Sequence, residues 1–125
     1  MRVRDDTPPT PRGLRVALLF ALAAHRLSGY YEHGQWLTDA QGASLAADWL
    51  TRSKNALPLA ERRHLSALSD QLARQIAGSL SREAGLYAAH EMTEALDPNY
   101  HSELAQMMLV ECEKLLDGGQ VELGA

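Results

Sequence analysis

Between His90 and Glu103 the chain reads HEMTEALDPNYHSE, with two histidines, three glutamates and an aspartate in fourteen residues. Imidazole and carboxylate groups at this density could bind a transition metal or move protons. Helical phase argues against a shared site. At about 100° per residue, His90 falls opposite the apolar stripe Ala84, Ala88, Met92, Ala95 and Leu96, and Glu94 stands beside it one turn on. His101 projects instead onto the stripe of the next helix. A metal centre on His90, Glu94 and His101 would have to bring these groups together against their phases. The favoured reading is a corner: Asp97 caps, Pro98 starts a helix, and His101 is a core-edge histidine.

A second candidate is Glu61 with His64, in the Glu-x-x-His spacing that di-iron bundles use. Those bundles need two such motifs and two further inward glutamates, and this chain has no second copy. Cys112 is the single cysteine and lies on an apolar stripe, where a thiol is usually inert. It excludes an intramolecular disulfide and suits a reducing, cytoplasmic setting. Glycine-rich phosphate loops, nucleophile elbows and Cys/His ligand pairs are all missing. No enzyme activity and no cofactor are expected.

The elements that must carry these residues are helical. Apolar residues are mostly Leu and Ala, and aromatic residues amount to 6%, a mixture that favours helix over sheet. Residues 1–10 are polar with two prolines and read as a flexible arm. Thr10-Pro11 starts a first helix expected to run to His33 and stop at Gly34. From Val16 to Ala24 this helix is apolar on every side and should be the most buried element. That nine-residue run follows a basic N-terminus, as in a secretory leader, but it would overlap its own cleavage site and is too short to span a bilayer. Neither a leader nor a membrane partner is expected.

Thr38-Asp39-Ala40-Gln41 fits a capping box for a second helix to about Ser53, with Gly42 weakening its first turn. Pro58 opens a third, along which Leu65, Leu68, Leu72, Ile76 and Leu80 form one stripe. A fourth is expected over about Arg82–Leu96 and a fifth over Pro98–Asp117, ended by Gly118-Gly119. The tail 120–125 reads as frayed. No stretch alternates with period two long enough for a strand. Residues 11–119 therefore predict a single all-α domain, a compact bundle of four to five helices with mostly antiparallel neighbours.

Function has to lie on the surfaces. Residues 1–63 hold nine basic and six acidic residues, a net +3, whereas residues 64–125 hold three and ten, a net −7. Arg62, Arg63 and Arg74 on the third helix leave a helical DNA-binding regulator as an alternative. They are spread round the helix and diluted by Glu61 and Asp70, so nucleic acid is not the expected partner. Tyr30, Tyr31 and Trp36 gather at the first corner, either plugging the bundle end or forming a binding hot spot. On the fifth helix Met107 and Val110 lie off the apolar stripe, which suggests a second neighbour. Glu103 and Glu111 contribute to an acidic last helix that could meet a basic protein patch. The leading expectation is a small non-enzymatic protein-binding module, an adaptor or inhibitor, with a second copy of itself (a homodimer) as the first candidate partner.

Overall fold

The first helix, α1 (Pro11–His33), touches all four others. A computed structural model describes residues 11–123. In it every residue from Val16 to Ala24 is buried. A segment without a polar face has no side it can leave to water, so the other helices wrap it on all sides. They are α2 (Asp39–Arg52), α3 (Leu59–Ser79), α4 (Arg82–Glu94) and α5 (Glu103–Leu116). Among the described residues α2 packs on α1 and α3 only, while α4 and α5 pack on each other, on α1 and on α3. The expected all-α bundle is observed: five helices around one apolar core and no strand among the described residues. No helix in this range is long and apolar enough to cross a membrane. The arm expected over residues 1–10 lies outside the described residues.

Local chemistry explains most helix ends. Gly34 closes α1 at φ +71°, a conformation glycine adopts without strain, and its N–H donates to the Tyr30 carbonyl. The capping box of α2 is complete: Gln41 N–H donates to Thr38 Oγ1 at 3.1 Å and Thr38 N–H to Gln41 Oε1 at 2.8 Å. Ser81 caps α4 by accepting from Ala84 N–H at 3.2 Å. Gly118, at φ +83°, ends α5.

The fourth and fifth helices correct the expected boundaries. α4 stops at Glu94 rather than Leu96, and α5 begins at Glu103 rather than Pro98. Asp97 serves a turn instead of a helix, its carboxylate accepting from Asn99 N–H at 3.0 Å and its carbonyl from Tyr100 N–H at 3.0 Å. Ser102 is the cap of α5, accepting from Ala105 N–H at 3.2 Å. The shift puts His101 outside the helix and exposed, not on the apolar stripe. After α5 the chain turns back: Glu122 N–H donates to Glu111 at 3.0 Å, and Val121 and Leu123 lie half-buried against the core.

One charged residue sits inside the bundle. Arg26 on α1 is fully buried, and all three of its guanidinium nitrogens are partnered. Nε donates to Ser69 Oγ at 2.9 Å and Nη1 to the Leu37 carbonyl and to Asp70 at 3.3 Å. Nη2 donates to Ser66 Oγ at 2.6 Å, the Ser66 carbonyl at 3.1 Å and Asp39 at 3.5 Å. Burial lowers the pKa of the group, and Asp70 and Asp39 oppose that shift. An unpaired buried charge would be severely destabilising, so this density of acceptors is a condition of the fold. The network ties α1 to the 37–39 connection and to α3. It also needs space: a Cβ at Gly42 would overlap the Ser66 hydroxyl and lie 2.9 Å from Arg26 Nη2.

Candidate interaction surface on the fourth and fifth helices

Six large apolar side chains are exposed among the described residues, and five of them fall between positions 86 and 110. They are Leu86 (41%), Tyr87 (57%), Tyr100 (36%), Met107 (58%) and Val110 (49%); the sixth, Leu59, is on α3. Helix phase places them there. α4 turns Gly85, Ala88, Ala89 and Met92 inward, which leaves Leu86 and Tyr87 outside. α5 buries Ala105, Met108, Cys112 and Leu115 and so presents Met107 and Val110.

The two tyrosines share a carboxylate. Glu91 is buried, the Tyr100 hydroxyl donates to it, and Tyr87 hydrogen-bonds it as well. Those two phenolic donors hold the Glu91 carboxyl below the usual carboxylate range, while the same bond pushes the Tyr100 phenol up to about 12. Tyr100 is thereby fixed over a cavity of about 140 Å³. Ala17, Phe20, Ala105 and Leu109 form the apolar floor, and Tyr100, His101 and Gln106 stand at the rim.

The residues singled out from sequence are dispersed. His90 and Glu94 are exposed on α4, as their phase implied, and His101 is exposed on the rim of the cavity. No group of three or more His, Cys, Asp or Glu side chains among the described residues is arranged to share a metal ion. Glu61 accepts two hydrogen bonds from Arg15, at 3.1 and 3.0 Å, so a guanidinium takes its carboxylate, and His64 is exposed nearby. Of the α3 arginines, Arg74 is bound to Asp70 at 2.9 Å and covers Trp36, Arg62 is half-buried and Arg63 exposed.

The aromatic corner is engaged internally. Tyr30 stacks on Trp36 with centroids 4.2 Å apart, and Tyr31 meets Tyr30 edge-on at 5.1 Å. Arg82 lies over the Tyr31 ring. The Tyr31 hydroxyl fills the space where Gly85 lacks a Cβ. All three rings are half-buried, and they link α1 to α3 and α4. Glu103 is exposed; Glu111 is buried and holds both Lys114, at 3.3 Å, and the returning tail.

Sequence reasoning did not single out Leu86, Tyr87, Glu91 or Tyr100. The phase count that exposed Met107 and Val110 also takes Leu86 and Tyr87 off the α4 stripe, so part of this surface was open to it. Comparison of the chain with protein-family models, with curated proteins and with solved structures finds no match.

Proposed function

We propose that this chain is a non-enzymatic protein-binding module, of adaptor or inhibitor type, whose working face is formed by α4, the 95–102 connection and α5. The observation that carries the reading is the concentration of exposed apolar side chains there: five of six large ones within residues 86–110. Single exposed apolar residues are ordinary, whereas their concentration on two helices that pack on each other favours a contact surface there. Tyr and Met are enriched where proteins meet.

The test is affinity capture with the full chain and with Met107→Asp/Val110→Asp. Both positions point to solvent, so circular dichroism should be unchanged. Proteins retained by the native chain and lost by the variant support the proposal; an identical retained set refutes it. Sedimentation velocity on the same samples reads a second copy as the partner.

A further inference from the structure

The cavity beneath Tyr100 narrows what the partner must offer. We propose that it is the socket for one aliphatic or aromatic side chain of a partner protein, carried on a segment rich in lysine and arginine. The inference rests on the α4–α5 reading above and names the chemistry of its partner.

Size gives the first half. A cavity of roughly 150 Å³ has room for one benzene, and the 140 Å³ here has room for a single Leu, Met or Phe side chain against Ala17, Phe20, Ala105 and Leu109, with His101, Ser102 and Gln106 supplying the polar part of the lining. Because Glu91 holds the Tyr100 hydroxyl, the wall of the socket is set before anything enters. A pocket formed in advance spares a ligand the cost of ordering it.

Charge gives the second half. From the start of α4 to the tail, residues 82–122 contain nine Asp and Glu against two basic residues, Arg82 and Lys114, and Arg82 lies over the Tyr31 ring. Lys114 is shared between Glu111 and Glu122, and Asp117 is taken by Arg12 at 2.6 Å. Glu83, Glu94, Glu103 and Glu113 are exposed, and none has an ion-pair partner among the described residues. Glu94 and Glu103 are the chain neighbours of Ala95 and Ser102 in the socket lining, and unpaired carboxylates beside a socket favour a basic segment with an apolar anchor. Two copies meeting through this face would set like charges against each other, and a phosphate backbone would be repelled.

The probes are three designed helical peptides of equal length: Leu with Lys, Leu with Glu, and Ser with Lys. Each is titrated into the full chain carrying isotope-labelled Ala and Leu methyl groups. The Leu/Lys peptide is expected to shift Ala17, Ala105 and Leu109 together, and the other two to leave them in place. Gln106→Trp, which covers the mouth from an exposed position, is expected to weaken the Leu/Lys peptide about tenfold or more. Silent socket methyls, equal shifts with the Leu/Glu peptide, or unchanged affinity in Gln106→Trp would overturn the proposal. A captured partner that survives Gln106→Trp but is lost with Met107→Asp/Val110→Asp removes the socket and leaves the interaction face standing. One that survives both removes the face.

Discussion

Replacing Gly42 with alanine should destabilise this protein, although it replaces a poor helix former with the best one. In an open helical position the exchange stabilises by about 1 kcal/mol. At Gly42 the added methyl would meet Ser66 Oγ, which accepts from Arg26 Nη2 at 2.6 Å. Ser66 and Arg26 are both fully buried, so neither has water to turn to. Losing a hydrogen bond to a charged group costs about 1.5–3 kcal/mol, and overfilling a packed site costs about 1–3 kcal/mol more. Set against the propensity gain of about 1 kcal/mol, the net loss is about 1.5–5 kcal/mol. With a urea m-value of about 2 kcal/mol/M, the unfolding midpoint should fall by about 1–2.5 M.

Gly78 on α3 supplies the control, because nothing lies within 4 Å of its Cβ position. There the same exchange should raise the midpoint. Adding Ser66→Ala to the Gly42 variant should cost less than the sum of the two single changes, since the clash and the lost bond share one hydroxyl. Urea titration by circular dichroism reads the native chain and the four variants, Ser66→Ala alone included. A Gly42→Ala midpoint at or above that of the native chain would refute the packing argument.

Three further outcomes follow from the same contacts. Tyr100 is raised from 10.0 to about 12 by its bond to Glu91. Its contribution is therefore complete below about pH 10 and is lost towards pH 12, where the unfolded phenol has ionised and the folded one has not. Urea midpoints across that range should fall more steeply for the native chain than for Tyr100→Phe, and parallel slopes would contradict the assignment. Cys112 is buried and its thiol is pushed far up by desolvation. A thiol reagent at neutral pH should react at the rate of global unfolding, and rapid labelling of the folded protein would contradict its placement. Glu111→Gln should weaken the hold on Glu122 and speed hydrogen exchange at residues 121–123, leaving α1 unchanged. Unaltered exchange there would show that Val121 and Leu123 hold the tail without the carboxylate.

Much of the architecture was legible because it depends on local rules. The wholly apolar run Val16–Ala24 announced a central helix, Thr38 with Gln41 announced a capping box, and Gly34 a stop, and each is found in place. The start of α5 was misread because Asp-Pro serves equally as a helix opening and as a turn. Nothing within Asp97–Asn99 decides between them; Ser102, four residues beyond Pro98, does the capping. That error carried His101 onto the wrong face.

Arg26 was invisible for a different reason. A lone arginine after an apolar run reads as a surface residue, and its acceptors come from Leu37, Asp39, Ser66, Ser69 and Asp70, up to 44 positions away. For the same reason Gly42 read as a weak point in a helix when it is the space the network occupies. The proposed interaction face was half legible. Helix phase exposes Met107 and Val110, whereas the cavity requires Ala17 and Phe20 of α1 to meet Leu109 of α5, which periodicity within one segment does not report.

The central claim, that α4 and α5 form the working face, is tested most directly by the dissociation constant of a captured partner. Three forms of the full chain are compared: native, Met107→Asp/Val110→Asp, and Gln71→Glu/Gln75→Glu on the exposed side of α3. The account predicts a weakening of about 100-fold or more for the α5 pair, the scale of two hot-spot residues, and native affinity for the α3 pair. Native affinity for the α5 pair would contradict it.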